Sequence, residues 1–122
     1  MKLWLIQMEP TLYDKASNAE RILGYIDRAA EVGVDLVVFP EMALTGYMCQ
    51  EIFFELAEPV PGPSTIEIMS KAREKNVYVL LGMPELKGTY IYNSAALFGP
   101  EGLAGVYRKL VLATFWSPAA VF

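Results

Sequence analysis

Residues 35–39, "DLVVF", carry a short unbroken apolar run, Leu36 to Phe39, that Pro40 stops at once, with Glu41 directly behind. A run this short and this continuous is the signature of a strand covered on both faces, as in parallel sheets. Parallel strands need crossovers, and helical patterns stand on both sides of the run. Before it, Ala19, Ile22, Leu23, Ile26, Ala29 and Ala30 recur at helical spacing and predict a helix over 15–32. Ser17 and Glu20 have capping-box spacing, Asp14 is a rival cap, and Gly33 suits the stop. After it, Ser64 and Glu67 suggest a second capping box that opens a helix to about Lys75, with Ile66, Met69 and Ala72 on its buried side.

The remaining segments complete the pattern. "KLWLIQM" (2–8) reads as a first strand, and residues 51–57 as a short helix with Glu51, Glu55 and Glu58 near one side. "PVPGP" (59–63) is a rigid loop. Strands are expected at 76–86, 90–98 and 103–108, joined by "KGT" and by the turn "GPEG". The order is β-α-β-α-β-β-β. It predicts an α/β fold with a mixed sheet of two crossovers and a meander, with the helices on one face. Two hairpin reversals make 103–108 run in the same direction as 35–39. Glu41 and Lys109 each follow a strand end, so the topology puts both along one sheet edge, where open α/β sheets hold ligands.

Composition narrows the function classes. The net charge is −4, and residues 29–70 hold seven acids and no lysine or arginine. A nucleic-acid or anionic-membrane partner is therefore not expected. The apolar run at the N-terminus is too short for a signal-peptide core, and no uncharged stretch is long enough to span a bilayer. With no histidine and one cysteine, Cys49, neither a disulfide framework nor the usual zinc site can be built, and a reducing, cytoplasmic setting is expected. From position alone, Glu41 and Lys109 are either a surface ion pair worth about 0–1 kcal/mol or a general base with a cationic stabiliser.

"VVFPEMALTGY" and "GVYRKLVLATF" resemble the two catalytic segments of the carbon–nitrogen hydrolases, the nitrilase superfamily, that precede the nucleophile. The intervening "VYVLLGMPEL" and "YIYNSAALFGPEG" are similar to the paired strands between those segments, in the same order. The resemblance covers residues 2–115. It implies an α-β-β-α sandwich, of which this chain is the N-terminal portion. It also implies hydrolysis of a small-molecule amide, nitrile or N-carbamoyl substrate through a thioester, with no metal or organic cofactor. Glu41 matches the family's general base and Lys109 its oxyanion-stabilising lysine.

Three departures qualify what the resemblance implies. The nucleophilic cysteine, which lies downstream of the lysine in the family, is missing, and Cys49 has the wrong surroundings to replace it. Ala113 stands where proline is usual. "WSPAAVF" (116–122) replaces a stretch that carries a further glutamate. Residues 110–122 are uncharged, and ten of the thirteen are apolar. A homo-oligomer is therefore expected, with no activity from this chain alone. The competing reading is a non-catalytic interaction module that docks through this apolar tail. A nucleotide-binding domain fits poorly, because "QMEPTLYDKAS" has no glycine for a phosphate loop.

Overall fold

The computed structural model describes residues 1–47 and 52–111. The expectations for Cys49, for Glu51 and for the apolar tail beyond Val111 fall outside the described residues. The elements are β1 (Leu3–Leu5), α1 (Lys15–Glu31), β2 (Leu36–Val38), α2 (Phe53–Leu56), α3 (Pro63–Lys75), β3 (Tyr78–Lys87), β4 (Tyr90–Gly99) and β5 (Gly102–Arg108). They form a five-stranded mixed sheet in the order β1-β2-β3-β4-β5. The first three strands are parallel, and β4 and β5 add as antiparallel neighbours. Among the described residues no helix is long and apolar enough to cross a membrane.

Both long helices cover the same face. Ile22 and Ile26 of α1 and Ile68 and Ala72 of α3 join Val37, Val79, Leu81, Met83, Ala96 and Phe98 in one buried cluster. Full burial of the valine, leucine, isoleucine, methionine and phenylalanine side chains among them contributes about 1.5–3 kcal/mol each. Strand register sets the opposite face. Trp4, Val37 and Val79 are aligned and point to the helices, so the aligned sets Leu3, Leu36, Tyr78 and Leu5, Val38, Leu80 point away. That second face is open among the described residues: Leu5 is 74%, Tyr78 46% and Tyr107 63% exposed.

The helix starts differ from expectation. Asp14 caps α1, its Oδ1 accepting from the Ser17 backbone N–H at 3.0 Å, so the Ser17–Glu20 box does not form. The capping role goes to the side chain that reaches the free N–H groups first. Helix α3 begins at Pro63, where a missing N–H costs nothing, and Thr65 Oγ1 accepts from Gly62 N–H at 2.7 Å. Ser64 is not a cap. Its N–H and its hydroxyl both donate to Glu58, each at 2.7 Å. The buried side of α3 is accordingly Thr65, Ile68 and Ala72, and Ile66, expected inside, is 54% exposed. Gly33 ends α1 as expected, in a left-handed conformation at φ 73°.

Candidate active site

The site is built from three chain segments that meet at the carboxyl ends of β2 and β5, on the open face. Strand β2 ends when Phe39 N–H donates to Leu80 O at 2.9 Å. Pro40 then starts a tight turn, closed by Ala43 N–H to Pro40 O at 3.2 Å and Gly46 N–H to Met42 O at 2.8 Å. Met42 is left-handed at φ 55°, an uncommon state for this residue type, and its side chain is fully buried against Phe53 and Leu56. The packing of that side chain offsets the backbone strain. Tyr47 is half-buried against the same cluster.

This turn carries Glu41 over Gly82 of β3. A Cβ at position 82 would lie 2.5 Å from Pro40 O, 2.7 Å from Glu41 Cα and 2.8 Å from Met42 N. Only glycine lets the turn sit this close to the strand.

Lys109 follows β5 and is fixed through its backbone, N–H donating to Asn93 O at 2.9 Å. Its Nζ lies 2.8 Å from Glu41 Oε1. The two residues singled out in the sequence are therefore in contact. Asn93, buried in β4, donates from Nδ2 to the same Oε1 at 2.8 Å. The hydrogen bond from Lys109 to Glu41 holds the lysine above its usual range, so it is an ammonium at neutral pH. Both side chains remain partly exposed, 37% and 42%, and border a concavity of about 250 Å³ with Phe39, Leu80, Gly82 and Tyr107.

The preceding residue, Arg108, points the other way. Its Nε and Nη2 donate to Glu85 Oε1 and Oε2 at 2.7 and 2.8 Å, and its guanidinium stacks 4.6 Å from the Tyr92 ring centre. Ser94 Oγ also donates to Glu85 Oε1 at 2.8 Å. This clamp ties β5 to β3 and β4 at the place where Lys109 leaves the sheet. Arg108 is the main reason that the Glu85 carboxyl sits below its usual value of 4.5. Burial pushes the other way, and Ser94 helps to lower it. A carboxyl lowered on folding stabilises the fold above its unfolded value, and that stability is lost as pH falls through the folded value. Thermal melts should therefore show Tm dropping as pH falls below about 4.5, and Glu85→Gln should flatten that acid limb. An unchanged limb would mean that the clamp does not hold the strand.

A larger concavity of about 480 Å³ lies between α1 and α3. Its one buried carboxylate, Glu58, is already engaged by Lys15 at 2.8 Å and by Ser64. Burial pushes the Glu58 carboxyl up, but these partners outweigh it and leave the group below its usual range. This makes it a structural joint, not an open site. Among the described residues no group of histidine, cysteine and carboxylate side chains is arranged to hold a metal.

Asn93, Gly82 and the Glu85–Arg108 clamp were not singled out in the sequence. The signal for Asn93 was available, since a polar Asn-Ser pair interrupts the apolar strand "YIYNSAALF". A buried polar side chain in a strand needs a partner. Gly82 carries no such signal, because a mid-strand glycine does not say what approaches it.

The fold and its contacts define an α/β protein with an acid–amine pair at the strand ends. The Carbon-nitrogen hydrolase family model matches residues 2–121. A nitrilase from Pyrococcus abyssi is 37% identical over 115 residues, which cover 92% of this chain and 44% of the relative. An (R)-stereoselective amidase from Pseudomonas sp is 37% identical over 109 residues, covering 89% of this chain and 39% of the relative. The crystal structure of an amidase from Nesterenkonia sp. superposes with a TM-score of 0.81 at 21% identity, covering 98% of this chain and 46% of that one. The chain belongs to the carbon–nitrogen hydrolase family. It spans less than half the length of these relatives.

Proposed function

We propose that this chain supplies the base and the oxyanion-stabilising cation of a carbon–nitrogen hydrolase acting on a small-molecule amide, nitrile or N-carbamoyl substrate. The observation that carries this reading is the 2.8 Å contact between Lys109 Nζ and Glu41 Oε1 beside a concavity on the open sheet face. For an amide, the chemistry runs as follows. A thiol supplied by the complete protein gives its proton to Glu41 as sulfur bonds to the substrate carbon. The carbonyl oxygen becomes an oxyanion, which the Lys109 ammonium stabilises. Collapse breaks the C–N bond, and the leaving amine takes the proton from Glu41. Water, deprotonated by Glu41, then cleaves the thioester and returns the proton to sulfur. Neither step requires a metal or an organic cofactor.

The 122-residue chain alone is expected to show no amide turnover. Mixing it with a separately expressed thiol-bearing C-terminal half of a related hydrolase is expected to restore turnover. The measurement is ammonia release from a simple amide. Turnover by the chain alone, after Cys49→Ala, would overturn the mechanism.

The exposure of Leu5, Tyr78 and Tyr107 favours a second reading, a non-catalytic module that associates through its open face, with another copy as the simplest partner. The same mixture separates the two readings. Association without turnover supports the module, and turnover supports the hydrolase.

A further inference from the structure

We propose that Asn93 is a positioning residue that divides the Glu41 carboxylate into an anchored oxygen, Oε1, and a presented oxygen, Oε2, which takes the proton. This rests on the reading of Glu41 as general base. Both donors that reach the carboxylate end on the same atom: Asn93 Nδ2 at 2.8 Å and Lys109 Nζ at 2.8 Å. Oε2 receives no hydrogen bond among the described residues. A carboxylate offers about four lone-pair directions, two on each oxygen. With both directions on Oε1 engaged, the available electron pairs are on Oε2, and Glu41 borders the concavity.

The amide is suited to this task in three ways. It faces a carboxylate, so the atom that donates must be its NH₂, which fixes the orientation of the side chain. It carries no charge, so it orients the carboxylate without adding a second cation that would weaken it as a base. It is also buried at 4% exposure, and its own backbone oxygen accepts from Lys109 N–H at 2.9 Å. One residue of β4 therefore sets both the acid and the amine. The Pro84–Asn93 and Gly82–Ala95 register pairs place Asn93 on the open face, on the same side as the Glu41 turn.

The test uses the 122-residue chain and follows the Lys109 side chain by NMR through its titration. Glu41 is the main group facing that ammonium, with Tyr47 a weaker contributor. Asn93→Ala and Asn93→Ser remove the amide donor without changing any charge and without touching the ammonium. If Asn93 aims Oε1, both variants lower the Lys109 titration a substantial part of the way to that of Glu41→Gln. A purely structural asparagine would leave it unmoved. Lys109 unchanged in folded Asn93 variants, with Glu41→Gln lowering it, overturns the proposal alone. Lys109 unchanged in Glu41→Gln overturns the acid–amine pairing and with it the base assignment. Should the Asn93 variants fail to fold, the Asn93 side-chain NH₂ resonance decides. It should move in Glu41→Gln, and an unmoved resonance overturns the proposal.

Discussion

Glu41→Gln, placed in the chain complemented by a thiol-bearing half, is expected to lower kcat by about 10²–10⁴-fold, the usual worth of general base catalysis. The substitution keeps the length and shape of the side chain and can still accept a hydrogen bond from Lys109. It removes the capacity to hold a proton. Substrate binding does not require that capacity, so KM should change much less than kcat. Ammonia release under saturating amide measures the effect. Wild-type turnover in Glu41→Gln would take the carboxylate out of the chemistry and leave the 2.8 Å contact with Lys109 as a surface ion pair.

Gly82→Val is expected to have the largest effect on the integrity of the site. An added Cβ would fall between 2.5 and 2.8 Å from three backbone atoms of residues 40–42, and backbone cannot swing aside as a flexible side chain does. Either the strand or the turn must move. Overpacking of this kind costs about 1–3 kcal/mol for Gly82→Ala, and the two further methyl groups of valine raise the cost. Movement of the turn would also carry Glu41 away from Lys109, so stability and the Lys109 titration should change together. The control is Gly105→Ala in β5, where an added Cβ meets nothing within 4 Å. That change should stay within about 0.5 kcal/mol in urea unfolding. Equal stability of the two alanine variants would show that the turn does not rest on Gly82.

These two residues also show what a one-dimensional reading can reach. Glu41 and Lys109 could be placed on one edge because strand direction follows from counting crossovers and hairpins, and direction decides which ends align. The chain order of the strands, with its two crossovers and its meander, and both long helices were legible as well, since hydrophobic periodicity reports such elements directly. Gly82 was not legible. What presses on it is a turn 40 residues earlier in the chain, and local pattern holds no record of a distant neighbour. The helix starts failed for a related reason. Ser64 has the chemistry of a cap, but Glu58, brought beside it by pairing with β3 next to Glu85, takes both of its donors. Competition of this kind appears only in three dimensions. No local pattern reports the open face; the resemblance implies a sandwich with two layers of sheet, and the described residues form one.

The alternation at the end of β5 has a consequence for how this protein tolerates change. Arg108 and Lys109 are adjacent cations with opposite destinations, one on the helix side of the sheet with Glu85 and the other beside Glu41. Deleting or inserting a single residue between the β4–β5 turn and Arg108 would turn each of them to the other face of the sheet. A deletion would bring the lone ammonium opposite the buried Glu85 carboxylate, and an insertion would bring the forked guanidinium opposite Glu41, with composition and net charge almost untouched. The parity of that strand thus decides which cation meets which carboxylate, and a change of length leaves both pairings in place only beyond the strand.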